Sequence, residues 1–293
     1  MTITAKMVAE LRERTGAGMM DCKKALVEAQ GNIEVAIENM RKSGQAKAAK
    51  KAGRITAEGL ILIASSSSTH SAMMVEINCE TDFVARGDDF VKFAHKSIEK
   101  GLSAGVNNVA DFLNLTLDGE HTIETSKNEL IAKIGENIQI RRIVHFDSKE
   151  DHIAHYLHGT RIGVLVQLKG GSAELAKDIA MHIAASNPHA IAASDVDPEI
   201  IAKEKAIYEA QVLESGKPAE MAEKIIQGKI NKFLNEISLL GQPFVKNPDR
   251  VVGQLLQEAK AEVIQFTRFE LGEGIEKQTA NFVEEVMAQA KKS

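Results

Sequence analysis

The chain has 293 residues, with 36 Lys and Arg against 41 Asp and Glu and a formal net charge of -5, which suggests about two domains and argues against a globally basic nucleic-acid binder. Two cysteines, Cys22 and Cys79, are too few for a disulfide framework or a multi-cysteine zinc site, and 4% aromatics with no tryptophan is too sparse for a base-stacking platform. No run approaches about 18 apolar residues and Met1 to Glu13 carries no signal-like apolar stretch, so the expectation is a cytoplasmic chain that crosses no membrane.

Charge is unevenly spread. Residues 1–54 hold 11 basic and 6 acidic side chains, and residues 55–293 hold 25 and 35. A composition break therefore falls near Lys50 to Arg54, after the run Gln45 to Lys51, which reads as a helix end or a linker. Three short helical patterns precede it. Val8, Leu11 and the methyl of Thr15 share one face of the first, and Gly16-Ala17-Gly18 ends it. Asp21 reads as the cap of the second, with Cys22, Ala25, Leu26 and Ala29 as its stripe. Asn32 caps the third, Glu34 complements its dipole, and Ile33, Ala36, Ile37 and Met40 form its apolar face. Met19 and Met20 fall in the loop before the second helix, where they either close a tiny core or form a flexible apolar docking surface. Gly16-Ala17-Gly18 lacks the spacing of either nucleotide fingerprint and follows no strand.

The middle of the chain is α+β. Leu60 to Ala64, a polar turn from Ser65 to His70, and Met74 to Cys79 read as a hairpin of period two. A helix follows, with Phe90, Val91, Ala94 and Ile98 on one face, Asp88 and Asp89 at its start and its end near Gly101. Leu113, Leu115 and Leu117 alternate briefly. Leu130, Ile131 and Ile134 make a short helix, and Ile138 to Val144 another strand. The order of hairpin then helix returns at Ile153 to Tyr156, the turn His158-Gly159, Ile162 to Leu168, and Leu175, Ile179 and Ile183. Two similar sheet-plus-helix halves are expected.

Pro198 opens a helical hairpin broken at Gly216-Lys217-Pro218. Its first arm has Ile200, Ile207, Ala210 and Leu213 on the apolar side; its second has Met221, Ile225, Ile226, Ile230, Phe233 and Leu234. The hairpin either projects or folds back on the sheet. Beyond it, Val252, Leu255 and Leu256 share a short helix, Val263 to Leu271 reads partly as a strand, and Phe282, Val283 and Val286 belong to a last helix. The expected divisions are 1–54, 55–140, 141–197, 198–237 and 238–293.

No catalytic constellation stands out, and neither a metal nor a cofactor is expected. His152, His155 and His158 are spaced by three, but their neighbours read as strand and turn. No serine lies in a nucleophile-elbow context, and no acid–base pair is evident. The unexplained feature is Thr81-Asp82-Phe83-Val84, directly after a strand. Phe83 is either a lid on the local core or a protruding apolar anchor beside an acid, a pair suited to a protein interface. Two further classes are open: a pure scaffold whose N-terminal bundle recruits another chain, and an RNA binder using Arg41, Lys42, Lys47, Lys50, Lys51 and Arg54, against which the net charge and sparse aromatics count.

Several segments resemble bacterial translation elongation factor Ts. They are Glu10 to Leu26, Gly31 to Gly44, Asn78-Cys-Glu-Thr-Asp-Phe-Val84, Ile134-Gly-Glu-Asn-Ile138, His158-Gly-Thr-Arg-Ile-Gly163, Met181-His-Ile-Ala-Ala-Ser186, Gly241-Gln-Pro-Phe244 and Phe269-Glu-Leu-Gly-Glu-Gly274. The ordered set runs from about residue 5 to about residue 287. The resemblance implies a guanine-nucleotide exchange factor with no covalent chemistry. Its partner would be elongation factor Tu, a GTPase, bound in the GDP form. The resemblance also implies a ubiquitin-associated-like N-terminal bundle, two core subdomains and a coiled-coil hairpin linked to self-association. No membrane and no specific nucleic acid would be partners. Carried onto this chain, Asp82 and Phe83 would be the key contact pair, flanked by Thr81 and Val84. Met19 and Met20 would be N-terminal contacts, and His158 would meet the GTPase's more distant domains. The serine-rich turn at 65–70 departs from the family pattern. Glu80 would add an acid beside Asp82 and modestly change affinity for a basic partner surface.

Overall fold

The structure is a computed structural model and describes residues 3–67, 70–214 and 219–276. It has a mixed α+β architecture. The described residues divide into two compact units, one of 3–62, 75–143 and 270–276 and the other of 63–67, 70–74, 144–214 and 219–269.

In the first unit, helices α1 (Ala5–Thr15), α2 (Met19–Glu28) and α3 (Ile33–Lys51) surround a small core of Val8, Leu11, Cys22, Ala25, Leu26, Ala29 and Ala36. Thr4 and Asn32 cap α1 and α3 through their side-chain oxygens, and Gly16 ends α1 in the left-handed region with φ of 64°. Helix α2 starts three residues earlier than its sequence suggests. Gly18 is its N-cap, and Asp21 sits inside the first turn, where a carboxylate favours the dipole. Helix α3 runs without a break through Gln45 to Lys51.

Strands β1 (Glu58–Ser66) and β2 (Ser71–Cys79) follow, so Ser65 and Ser66 belong to a strand rather than to the turn; Ser68 and Thr69 lie outside the described residues. Then come α4 (Asp82–Ala85), α5 (Asp88–Ala104), α6 (Val109–Asn114), β3 (Thr116–Asp118), β4 (His121–Thr122), α7 (Ile123–Ile134) and β5 (Ile138–Asp147). Helix α5 passes its predicted end, because Gly101 is buried within it and Gly105 supplies the left-handed cap. Helix α3 lies along α7, where an added side-chain carbon at Gly44 would touch Ala132.

The first sheet has the order β1-β2-β5. Central strand β2 is buried along its whole length, not on one face alone. Glu76 therefore has 0% side-chain exposure. Its Oε1 accepts from Arg141 at 3.1 Å, Asn78 at 3.1 Å and the Gly272 N–H at 2.9 Å, and its Oε2 accepts from Arg142 at 2.6 Å. Burial pushes this carboxyl pKa up, but the Gly272 amide, Arg142 and Asn78 outweigh burial and hold it below the usual range. Gly272 is obligatory at this clasp: its φ is 73°, and an added Cβ would come within 2.6 Å of the Ala57 carbonyl.

In the second unit, β6 (His152–His158) and β7 (Ile162–Lys169) pair antiparallel, and α8 (Ala173–Ser186) packs on both. After α9 (Pro198–Glu214) and α10 (Ala219–Ile237) come β8 (Pro243–Phe244), β9 (Asn247–Val251), α11 (Val252–Glu258) and β10 (Glu262–Glu270). The second sheet has the order β10-β7-β6. Val164, Val166, Ile179, Ile183, Leu239 and Val252 lie in its core. Helices α9 and α10 pack on each other, but α9 turns a different face inward from the one its stripe suggests. Val212 is buried, Lys229 lies 5.0 Å from the Tyr208 ring centroid, and Ile200, Ile207 and Leu213 are exposed. Two apolar rows with helical spacing overlap on α9, and periodicity cannot choose between them. The predicted last helix at 282–286 lies outside the described residues.

A buried knot ties α8 to the turn before β8. The Val245 N–H donates to His182 Nδ1 at 3.2 Å, so Nε2 carries the ring hydrogen and donates to Gln242 Oε1 at 3.0 Å. Gln242 Nε2 then donates to the Ser186 and Glu236 carbonyls. Burial holds the His182 pKa below the ordinary value, although the Gln242 bond opposes it.

Two outcomes are expected. Glu76→Ala leaves Arg141 and the Gly272 N–H without this acceptor and should lower unfolding free energy by about 3 kcal/mol, measured by urea denaturation. His182 contributes stability above the ordinary histidine pKa of about 6.5, and that contribution is lost as pH falls toward its depressed native value. The melting temperature should therefore drop between about pH 7.5 and pH 5.5, and drop less in His182→Gln, which takes up no proton. Equal losses in both proteins would place the acid sensitivity elsewhere.

Candidate functional site

Strand β2 ends at Cys79, and the chain turns at Glu80 and Thr81 into α4. Thr81 is the N-cap, and its Oγ1 accepts from the Val84 N–H at 3.4 Å. Helix α4 has four residues and none is buried. Phe83 is 84% exposed, so it is not a lid on the core. Asp82 pairs at 3.1 Å with Arg86, the C-cap of the same short helix. Both side chains are largely exposed, so the pair contributes no more than about 1 kcal/mol and can be exchanged for another partner.

The backbone beneath this helix is held from the junction between α7 and β5. Thr81 donates its N–H to Glu136 Oε2 at 3.0 Å and its hydroxyl to Glu136 Oε1 at 2.7 Å. In the reverse sense, the Asn137 N–H donates to Glu80 Oε1 at 2.6 Å. Glu80 also pairs with Arg54 at 3.3 Å, so its charge is committed inside the junction rather than offered beside Asp82. Buried Asn137 donates its side-chain amide to the Ala52 and Arg54 carbonyls, which ties down the segment after α3. The Cys79 thiol donates to the Thr81 carbonyl at 3.1 Å. Burial, reinforced by the Glu136 and Glu58 carboxylates, pushes its pKa up to about 12, so it is no nucleophile.

Met19 and Met20 occupy the first turn of α2, 59% and 74% exposed, and do not close the bundle core. His158 is exposed at the end of β6, opposite Ile162 in the register, and belongs to the second unit. Four of the six cations considered for RNA are engaged within the chain: Lys42 with Glu38 at 2.7 Å, Arg41 with Glu129 at 3.5 Å and with the His121 ring, Lys51 with the Gly135 carbonyl, and Arg54 with Glu80 at 3.3 Å. Gly16-Ala17-Gly18 links two helices and follows no strand, so it is no phosphate loop. Among the described residues no three His, Cys, Asp or Glu side chains cluster as metal ligands, and no helix is long and apolar enough to cross a membrane.

Glu136 and Asn137 are the site residues that the sequence leaves unassigned. They stand in a recognisable segment, but their link to residues 80–81 spans more than fifty positions, and no local pattern reports it.

The candidate site is thus a displayed side chain on a braced junction, the geometry of a protein-docking surface and not of a reaction pocket. The family model described as Elongation factor TS matches residues 80–273. The chain is 57% identical over 293 residues to elongation factor Ts of Methylococcus capsulatus, covering 100% of both chains. It is 56% identical over 292 residues to that of Thioalkalivibrio sulfidiphilus and to that of Legionella pneumophila, covering 99% of each chain. The chain belongs to the elongation factor Ts family. Proteins of this family are exchange factors without covalent chemistry of their own.

Because Phe83 contributes almost nothing to the fold, Phe83→Ala should change unfolding free energy by less than about 0.5 kcal/mol. Denaturation of the purified variant checks this, and a loss of several kcal/mol would restore the core-lid role.

Proposed function

We propose that the chain is a guanine-nucleotide exchange factor of translation elongation. It binds elongation factor Tu in its GDP form and promotes GDP release so that GTP can bind. The observation that carries this reading is the exposed Phe83 on its braced junction, in a member of this family. Phe83 inserts between helices of the GTPase near its nucleotide site. Asp82 exchanges its Arg86 contact for one with a partner helix. Together they displace switch elements and weaken the magnesium and phosphate contacts of GDP. Met19 and Met20 extend the contact from the N-terminal bundle, a ubiquitin-associated-like module, and His158 touches the GTPase's more distant domains. Self-association runs through the hairpin of α9 and α10, and exposed Ile207 and Leu213 support that role.

The mechanism is linkage. The factor need not touch GDP; it must bind the nucleotide-free GTPase better than the GDP form, and the coupling is reciprocal. A wedge that fits only when the switch elements move supplies the difference. Each tenfold of coupling is about 1.4 kcal/mol, and burying one phenylalanine hot spot supplies that or more.

Release of a fluorescent GDP analogue from elongation factor Tu, followed by stopped flow, tests the reading. The parent chain should strongly accelerate release, and Phe83→Ala should lose at least about tenfold of that effect. No acceleration by the folded parent would overturn the exchange role. Full activity of the variant would remove it from residues 81–84.

A further inference from the structure

We propose that Glu136 is a positioning residue that sets how Phe83 is presented, acting through Thr81; the proposal rests on the exchange reading above. Helix α4 has four residues with none buried. Helix propensity does not hold so short a segment, and its packing is limited to half-buried Val84 and Ala85. The hydrogen bonds at its cap add to that hold. The Glu136 carboxylate takes both protons that Thr81 offers, from the backbone N–H at 3.0 Å and from the hydroxyl at 2.7 Å. By taking the hydroxyl proton it leaves the Oγ1 lone pairs facing the Val84 N–H, the next residue after Phe83. The direction of the cap is therefore chosen by a side chain from another element. Both bonds are charge-assisted, and both draw on one rigid carboxylate.

Glu136 is itself fixed from both sides. Gly135 ends α7 with its N–H on the Ile131 carbonyl, and the Asn137 N–H is taken by Glu80. The short stretch Gly135 to Asn137 thus delivers one carboxylate to one threonine. An amide at 136 keeps a single acceptor oxygen for the two protons that Thr81 now gives to one carboxylate, and places N–H donors where the second bond stood.

The test compares parent, Glu136→Ala, Glu136→Gln, Phe83→Ala and the double variant Phe83→Ala/Glu136→Ala. Three readouts are taken: stimulated release of the fluorescent GDP analogue from elongation factor Tu, amide hydrogen exchange across residues 81–86, and thermal melting. Glu136→Ala should slow stimulated release by about tenfold, the scale of one lost charge-assisted hydrogen bond. It should also speed amide exchange at Val84 to Arg86, and Glu136→Gln should fall between it and the parent. Added to Phe83→Ala it should cost nothing further, because both changes act through one side chain. Losses that multiply in the double variant overturn the proposal, since Glu136 would then act elsewhere. Unchanged release in Glu136→Ala, with Phe83→Ala slow, overturns it alone and leaves the exchange site standing. Parent-like release by Phe83→Ala overturns both. If Glu136→Ala does not fold, Glu136→Gln, singly and with Phe83→Ala, decides by the same criteria.

Discussion

A single buried carboxylate organises the first unit. Glu76 lies at the middle of a strand with no solvent-facing side, and a bare charge there would be prohibitive. It is tolerated because two guanidiniums from β5 and one backbone amide from the Gly272 turn converge on it. The convergence also fixes register. Glu76 meets Arg141, Glu80 meets Asn137 and Thr81 meets Glu136, so the pairs advance along β2 as they retreat along β5. That is the antiparallel sense, continued past the end of the sheet into the two loops. A slip of one residue would separate every one of these pairs at once.

Register in turn decides what the loop can display. A phenylalanine held out in water is available to a partner, and burying it on docking is favourable by about 1.5–3 kcal/mol. The full gain reaches binding only if the side chain need not first be ordered. The two carboxylates at the junction, Glu80 and Glu136, take the backbone N–H groups of Asn137 and Thr81, each from the opposite loop. The exposed phenylalanine thus stands on a frame made of strand ends and charge-assisted hydrogen bonds as well as on the four-residue helix that carries it.

The second unit shows that a recognisable segment need not be a contact site. Met181 to Ser186 and Gly241 to Phe244 meet in the knot of His182 and Gln242, where each polar atom of the glutamine amide has a partner. A neutral buried imidazole between a backbone donor and an amide acceptor closes α8 onto the turn before β8. Both segments serve packing there.

Local features were legible in the sequence because their causes are local. Asn32 caps α3, Asp88 and Asp89 open α5, and α8 buries Ile179 and Ile183 of its predicted stripe, since each rests on neighbours within a few residues, whereas β7 is buried on both faces and not on alternate residues. The motif Thr81 to Val84 was legible as something in need of explanation, and the family was legible in the order of its segments. The exposure of Phe83, Met19 and Met20 was not, because a short apolar segment fits a core lid and a docking surface equally well. Neither was the inward face of α9, where two apolar rows share one helix. The tertiary structure alone decided these, along with the burial of Glu76 and the pairing of Glu136 with Thr81. Each depends on which strand or helix lies alongside, and that is set by packing and charge pairing between separate elements rather than by any local pattern.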